Sequence, residues 1–279
     1  MVKRVILYVV DGMRPDGMLM AQAPNLQRLR ERGAFTFSAQ TVMPSITLPT
    51  HMSMFHGVTP QVHGVTDNVW QPMPGEPIPG IIELVHQAQR KAAAFYTWDE
   101  LRDLSRPGSL AYSSFINIYG PEGETSDGDI ACLAADYFVR QRPDFMFVYS
   151  GMVDETGHHY GWLSPQYLDA VAKADTAIGS VLERLEENGL LAETAVLVTA
   201  DHGGHARAHG SDILEDMTIP WLLAGPGVRQ GYEIRDPVRI IDTAPTIAYL
   251  LGLPCPEAWQ GQPVSEALDS EALGSEAPV

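Results

Sequence analysis

Cysteine is scarce in this sequence. The 279 residues contain two cysteines, Cys132 and Cys255. Two cysteines far apart in the chain exclude a disulfide framework and a Cys-rich zinc site as the basis of the fold. Any metal site must therefore be built from carboxylate and imidazole groups.

Basic side chains are also few. The chain has 18 Lys and Arg against 35 Asp and Glu, which gives a formal net charge of −17. Binding to a nucleic acid polymer needs Lys and Arg to neutralise phosphates, so we expect no such partner. A small phosphate ester remains compatible with this charge, because a bound metal ion can reverse the local field.

Long apolar runs are absent near the N-terminus. The run from Val5 to Val10 is too short to cross a bilayer, and no small-residue cleavage site follows it. We therefore expect no membrane association and a cytoplasmic location. The hydrophobic content of 45% and the charged content of 19% are typical of a globular protein.

Strand-like and helix-like segments alternate along the chain. This alternation predicts an α/β fold with a doubly wound, largely parallel central sheet and helices on both faces. We expect a single catalytic domain over residues 1–264 and a loosely ordered tail over 265–279, which is rich in Glu, Ala and Ser. Residues 99–128 give no clear pattern, and the run from Gly57 to Trp70 resembles a loop. The main segments are strands at 5–10, 34–42, 93–96, 145–149, 196–199 and 219–224 and helices at 25–32, 81–90, 130–140, 165–187 and 242–251.

The richest cluster of chemical groups follows the strand that ends at Thr199. Asp201 and His202 are followed by two glycines, and then by His205 and His209 within one short loop. A single histidine is more often an ordinary surface or core side chain. Four carboxylate and imidazole groups after one strand instead favour a site for a zinc-type ion.

Two other strand ends carry similar groups. Asp11 follows the first strand, and Asp154 and His158 follow the strand that ends at Tyr149. Open α/β sheets place ligands at the carboxyl ends of their strands. Asp11 alone would be read as a turn residue, whereas Asp154 and His158 share a face if their segment is helical.

Thr47 lies at the expected start of a helix, with Pro49 in its first turn and Gly57 at its end. Its ordinary role would be that of an N-cap residue. The alternative role is that of a nucleophile, because a helix N-terminus stabilises an alkoxide or a phosphoryl oxygen.

Together these segments resemble the alkaline phosphatase superfamily, and most closely its type I phosphodiesterase/nucleotide pyrophosphatase family. They occur in the family's order over about the first 225 residues. The matching pieces are Asp11-Gly12, Pro24-Asn25-Leu26, PSITLPTHMSMFHGVTPQVHGVTDN from Pro44 to Asn68, DETGHHYG from Asp154, ADHGGH from Ala200, and His209-Gly210.

The resemblance implies two divalent ions, most simply Zn²⁺, about 4 Å apart. It implies one ion on Asp154, His158 and His209, and a second on Asp11, Asp201 and His202 that also contacts Thr47. Thr47 is then the nucleophile that forms a phosphothreonine intermediate. Asn68 is implied to hydrogen-bond a phosphoryl oxygen. His205 has no role in this pattern.

The activity implied is that of a phosphodiesterase/nucleotide pyrophosphatase acting on a small phosphate-ester or nucleotide-like substrate. Alternatives are a phosphomonoesterase or a phosphonoacetate hydrolase of the same superfamily, or a non-catalytic metal-binding relative. A sulfatase is disfavoured because it needs a modified Cys or Ser where Thr47 stands. The absence of Lys and Arg from residues 44–68 and 150–163 favours diesters over monoesters, and Arg207 is the one basic residue between Asp201 and Gly210.

Four aromatic residues lie near these segments and could stack on a base, although packing is the more common use of large aromatics. They are Trp70, Tyr119, Tyr160 and Trp162. The sequence does not determine the oligomeric state.

Overall fold

The computed structural model describes residues 2–69, 78–120 and 123–269, which fold around one eight-stranded sheet. The strands are β1 (Arg4–Val10), β2 (Gly33–Gln40), β3 (Ala92–Tyr96), β4 (Tyr112–Phe115), β5 (Phe145–Ser150), β6 (Thr194–Thr199), β7 (Thr218–Ala224) and β8 (Tyr232–Glu233). The α-helices are α1 (Pro15–Met20), α2 (Pro24–Arg32), α3 (Thr47–His56), α4 (Pro60–His63), α5 (Ile81–Gln87), α6 (Ser126–Gln141), α7 (Met152–Tyr160), α8 (Pro165–Glu187), α9 (Leu214–Met217) and α10 (Thr243–Leu250). Short 3₁₀ helices cover Asp99–Leu104, Gly123–Thr125, Leu191–Glu193, Ile240–Asp242 and Ser265–Ala267.

The sheet has the strand order β4-β3-β5-β1-β6-β7-β2-β8. Most neighbouring strands are parallel, which confirms the predicted fold class, but β7 runs antiparallel to both β6 and β2. The connection from Thr199 to Thr218 contains the short helix α9 and no long crossover helix. A strand that follows such a connection returns beside β6 in the opposite direction, because a parallel neighbour needs a full crossover.

The central strands are buried along their whole length. All residues of β5 and β6 are buried, and so are those of β1 after Arg4. Their continuous apolar sequences suit strands that are covered on both faces. One group of contacting helices comprises α2, α6 and α8, and another comprises α3, α5 and α10.

Helix boundaries follow the local sequence signals. Helix α8 begins after Ser164, whose hydroxyl oxygen accepts a hydrogen bond from the Tyr167 N–H at 3.2 Å. Pro165 and Pro24 lie in the first turn of their helices. An N–H group there has no intrahelical acceptor, so proline costs no hydrogen bond. Gly57 closes α3 with a left-handed φ of 61°.

Some segments differ from the sequence-based expectations. The run from Gly57 contains the one-turn helix α4, and the unassigned region 99–128 supplies the edge strand β4. Near the start of the expected tail, Ala267 and Leu268 are buried and the Asp269 N–H donates to the Gly227 carbonyl at 3.0 Å. Residues 70–77 and the rest of the tail lie outside the described residues.

A search of the described ranges finds no helix with both the length and the apolar character needed to cross a bilayer.

Candidate active site

The site lies where three neighbouring central strands end. Strands β5, β1 and β6 are adjacent and parallel, so their carboxyl ends meet at one edge of the sheet. Asp11 directly follows β1, and its N–H donates to the Ser150 carbonyl at 2.9 Å. The Gly12 N–H donates to Asp201 Oδ1 at 3.2 Å, which joins the ends of β1 and β6.

One group of potential metal ligands comprises Asp11, Asp201 and His202, all of them buried. His202 Nε2 lies 3.3 Å from Asp11 Oδ1 and 3.3 Å from Asp201 Oδ2. His202 Nδ1 lies 2.8 Å from the Gly203 carbonyl oxygen, which can only accept a hydrogen bond. Nδ1 therefore carries the proton, and the Nε2 lone pair faces the two carboxylates, as in a metal-ligating histidine.

A second group combines Asp154 with His202 and His209. His209 Nε2 lies 3.7 Å from Asp154 Oδ1, and its Nδ1 donates to the Ser45 carbonyl at 2.8 Å. Its ring stacks on that of His202, with the ring centroids 3.8 Å apart. His202 therefore lies where the two groups meet.

His158 stands beside this group rather than within it. It shares a face of α7 with Asp154, and its Nε2 lies 3.3 Å from Asp154 Oδ2. Its Nδ1 donates to the Arg207 carbonyl at 3.0 Å, so the lone pair of Nε2 again faces the carboxylate in the neutral ring. When Nε2 is protonated it can donate to Asp154, and this hydrogen bond raises the pKa of His158 to about 9.

The charges of these buried groups favour the binding of a cation. Burial and the charges of Asp201 and Asp154 raise the pKa of Asp11 well above its usual value. Burial and the charge of Asp154 raise the pKa of Asp201 to about 7. Burial alone would raise the pKa of Asp154 as well, but the hydrogen bond with His158 and the nearby imidazoles outweigh it and lower that pKa.

Two carboxylate oxygens are left without partners. Asp11 Oδ1 and Asp154 Oδ1 are buried and have no hydrogen-bond donor among the described residues. An unsatisfied buried carboxylate oxygen is costly, whereas a divalent cation would satisfy it. The donor set of carboxylate oxygens and imidazole nitrogens is that preferred by zinc in cysteine-free sites, so these residues fit divalent ions.

Thr47 faces the same cluster from the start of α3. Its side-chain Oγ1 lies 3.4 Å from His202 Nε2. The N-cap residue is Ile46 and Thr47 is the first helical residue, so Thr47 does not have the ordinary N-cap role. Because Thr47 does not cap its own helix, its hydroxyl is available to the cluster.

Asn68 is attached to the same helix start. Its Oδ1 accepts a hydrogen bond from the Leu48 N–H at 2.9 Å. A main-chain N–H only donates, so the facing atom must be the amide oxygen. The Asn68 NH₂ group is therefore left as a donor beside Thr47.

A cavity of about 130 Å³ opens over these groups. Its wall contains three acidic residues, Asp11, Asp154 and Glu155, and none of its described lining residues is Lys or Arg. Aromatic rings of Trp98, Tyr119 and Tyr149 complete one side.

The four aromatic candidates have different environments. Tyr119 lines the cavity and is 66% exposed, and Tyr160 is 51% exposed. Trp162 is buried, and its Nε1 donates to the Gly12 carbonyl at 2.9 Å, so it is a packing residue. Trp70 lies outside the described residues.

Tyr149 and His51 contact the site but were not found from the sequence. The Tyr149 hydroxyl donates to Asp11 Oδ2, and burial followed by the charge of Asp11 raises the pKa of Tyr149 well above its usual value. His51 Nδ1 donates to the Thr47 carbonyl at 2.8 Å, and burial lowers the pKa of His51 to about 3. Both could have been found from their positions in the sequence, since Tyr149 lies near a strand's carboxyl end and His51 lies one helical turn after Thr47.

The two glycines after His202 allow close approach. A Cβ on Gly203 would lie 2.0 Å from the Glu215 carbonyl oxygen, and a Cβ on Gly204 would lie 2.1 Å from the Trp162 ring. Any side chain at either position would push the loop between His202 and His209 away from its support.

Comparison with known proteins is consistent with this geometry. A family model described as type I phosphodiesterase/nucleotide pyrophosphatase matches residues 5–77 and 81–219. An uncharacterized pyrophosphatase/phosphodiesterase of Schizosaccharomyces pombe is 28% identical over 221 residues, a match that covers 71% of this chain and 44% of that protein. Ectonucleotide pyrophosphatase/phosphodiesterase family member 3 of Bos taurus is 25% identical over 224 residues, covering 71% of this chain and 24% of that protein.

The chain thus spans less than half the length of these two curated relatives. Among solved structures, an inactive form of murine ectonucleotide pyrophosphatase/phosphodiesterase 5 in complex with AMP superposes with a TM-score of 0.81 at 16% identity. That superposition covers 96% of this chain and 100% of the murine one, and it shows a shared fold.

Proposed function

Because the chain belongs to the type I phosphodiesterase/nucleotide pyrophosphatase family, we propose that it hydrolyses phosphoric esters in the cavity beside Thr47. One observation carries the proposal. The Thr47 hydroxyl, on the first residue of a helix, lies 3.4 Å from His202 Nε2 within a cluster of buried carboxylates.

Two divalent ions, most simply Zn²⁺, are proposed as cofactors. Asp154, His158 and His209 would hold one, and Asp11, Asp201 and His202 would hold the other close to Thr47. The unpartnered oxygens of Asp11 and Asp154 support this assignment. When bound, such ions lower the pKa of a nearby hydroxyl and neutralise charge on the attacking and leaving oxygens.

Thr47 then acts as the nucleophile. Its hydroxyl loses a proton as Oγ1 forms a bond to phosphorus, and the bond from phosphorus to the leaving oxygen breaks. The leaving oxygen takes up a proton. Water subsequently attacks the same phosphorus and gives up a proton, and the Thr47 oxygen takes up a proton as its bond to phosphorus breaks, which releases the phosphoryl product. Covalent catalysis of this kind divides one difficult displacement into two easier ones.

Neutral donors stabilise the charge on the non-bridging oxygens during both steps. We assign this role to the NH₂ group of Asn68 and the N–H of Thr47. The Leu48 N–H is already used by Asn68 Oδ1. The start of α3 adds the favourable field of a helix N-terminus for an anion.

The preferred substrate is a phosphodiester, including nucleotide-like compounds such as those with an AMP group. A monoester carries one more negative charge, and sites built for it usually supply an extra cation. The described cavity lining has no Lys or Arg to do so. A phosphomonoesterase or a phosphonoacetate hydrolase remains the alternative, followed by a non-catalytic metal-binding relative.

The test measures turnover of nitrophenyl diesters, the matching monoester, dinucleotides and phosphonoacetate with added zinc. We expect kcat/KM for the diester to exceed that for the monoester by at least about tenfold, which corresponds to roughly 1.4 kcal/mol. Equal or better monoester turnover would overturn the diester preference and make Arg207 the first residue to replace.

Variants of Thr47 test the nucleophile. Thr47→Ala should abolish turnover with metal content unchanged, and Thr47→Ser should retain part of the rate. Acid quenching of the wild-type reaction with a diester should trap a Thr47 peptide that carries the phosphoryl group with its remaining ester substituent, detectable by mass spectrometry. Substantial activity of the alanine variant would mean that water attacks the substrate directly.

A cytoplasmic location, expected from the sequence, stays a prediction that fractionation of cells expressing the tagged protein can check.

A further inference from the structure

The loop of residues 203–208 connects His202 with His209, which belong to different ligand sets. The loop folds back on itself: the His205 N–H donates to the Ala208 carbonyl and the Ala208 N–H donates to the His205 carbonyl, both at 2.9 Å. Ala206 at its tip has a left-handed φ of 47°. The spacing between His202 and His209 therefore depends on how this loop is anchored.

Asp216 anchors both ends of the loop. It is fully buried. At the start of the loop, its carbonyl oxygen accepts the Gly203 N–H at 2.8 Å and its Oδ1 accepts His205 Nδ1 at 2.7 Å. Beyond the end of the loop, its Oδ2 accepts the Ser211 N–H at 2.9 Å.

The two histidines depend on this anchor to different degrees. His202 directly follows Asp201 at the end of β6, and its ring is held locally by the Gly203 carbonyl. His209 lies seven residues farther on, and its ring is held by the Ser45 carbonyl. Ser45 Oγ in turn donates to the Ser211 carbonyl at 3.1 Å, so the position of His209 depends on Ser211.

We propose that Asp216 and His205 form a clamp that positions His209 for the ion held with Asp154 and His158. The inference rests on the proposed two-metal site. Asp216 and His205 are positioning residues, because neither is placed among the ligands. The carboxylate suits this position since both of its side-chain partners are N–H donors.

The test compares metal binding by the wild-type protein with that of Asp216→Asn. Each protein is loaded with Co²⁺ or Zn²⁺, and ion release to a competing chelator is followed together with the Co²⁺ visible spectrum. His209→Ala identifies the release step and the absorption band that belong to the affected ion. In the asparagine variant an NH₂ group faces either His205 Nδ1–H or the Ser211 N–H. Because both are donors, one of the two hydrogen bonds is lost.

We expect Asp216→Asn to lower the affinity for the ion beside His209 by roughly 10- to 100-fold, as for other residues that orient metal ligands. The affinity for the other ion should fall by less than about threefold. The Co²⁺ band of the affected ion should shift. His205→Ala should show a smaller loss at the same ion, and His205→Gln, which retains an N–H donor, should recover part of it. The His205 side chain is 37% exposed, so we expect both His205 variants to fold. They test the clamp even if Asp216→Asn fails to fold.

Asp175→Asn is the matched control. Asp175 is equally buried, and its carboxylate accepts the Leu26 N–H at 2.7 Å on a helix away from the site. It should leave both ion affinities unchanged. Equal loss at both ions, an identical loss in Asp175→Asn, or no loss in Asp216→Asn would overturn the clamp. A wild-type protein that binds no ions would instead overturn the proposed function, and the clamp with it.

Discussion

Asn68 combines two roles that substitution can separate. Its Oδ1 accepts the Leu48 N–H at the start of α3, and its NH₂ group is the proposed donor to a phosphoryl oxygen. Asn68→Ala removes both roles. Loss of the acceptor resembles loss of an N-cap, which costs about 0.5–2 kcal/mol of stability. Loss of one preorganised donor to a developing charge lowers kcat by about 10²- to 10³-fold.

Asn68→Asp retains the acceptor and removes the donor. A carboxylate can still accept the Leu48 N–H, and a negative charge near a helix N-terminus is favourable by roughly 0.3–1 kcal/mol. The same charge also faces a cavity that already contains Asp11, Asp154 and Glu155. We therefore expect Asn68→Asp to be as stable as the wild type in urea denaturation and at least as inactive as Asn68→Ala.

The assay is kcat and KM for a nitrophenyl phosphodiester, measured on zinc-loaded proteins whose metal content has been checked. If Asn68→Asp retained more than about a tenth of the wild-type kcat, the Asn68 amide would not stabilise the transition state as inferred. If Asn68→Ala were inactive but Asn68→Asp active, the acceptor role alone would account for the effect.

Two further predictions follow from the histidines. His209→Ala should lower the metal content, measured by atomic absorption, from two ions to one. Two tightly held ions in the variant would contradict the ligand assignment. A chelator should abolish the activity of the wild type, and added zinc should restore it. His63 donates from Nε2 to Ser53 Oγ at 2.9 Å, because its Nδ1 accepts the Val65 N–H, and burial lowers its pKa to about 4. The unfolded state therefore binds a proton that the folded state rejects between about pH 6.5 and 4, so up to about 3 kcal/mol of stability is lost as the pH falls through that range. Urea denaturation at pH 7 and pH 4.5 should show a smaller loss for His63→Gln than for the wild type, and an equal loss would refute this assignment.

The strand-end and helix-face positions of the proposed ligands were predictable from local sequence signals. The apolar runs before Asp11 and Asp201 are interrupted abruptly by acidic residues, and parallel strands bring such ends to one edge of the sheet. The four-residue spacing of Asp154 and His158 needed only a helix to place them on one face, and α7 provides it.

Other features depend on tertiary contacts that no local pattern reports. The direction of β7 depends on where the connection after β6 returns, and the pairing of His205 with Asp216 joins residues that only the folded loop brings together. Thr47 illustrates an intermediate case. The helix start was predictable, but its use as the first helical residue rather than the cap depends on Asn68, which lies 20 residues away and accepts the Leu48 N–H.

The charge distribution of the site determines the order in which its ligands can bind. A phosphodiester is an anion, and the cavity that would receive it contains Asp11, Asp154 and Glu155 with no Lys or Arg among its described lining residues. Without added positive charge, burial and the charge of Asp154 already oppose the ionisation of both Asp11 and Asp201, and a bound anion would meet the same repulsion. Two divalent ions would offset the charge of these carboxylates and place cations beside the substrate, so that the cavity would attract an anion rather than reject it. We therefore expect that metal loading precedes substrate binding and that metal removal weakens the affinity for a phosphodiester as well as its rate of hydrolysis.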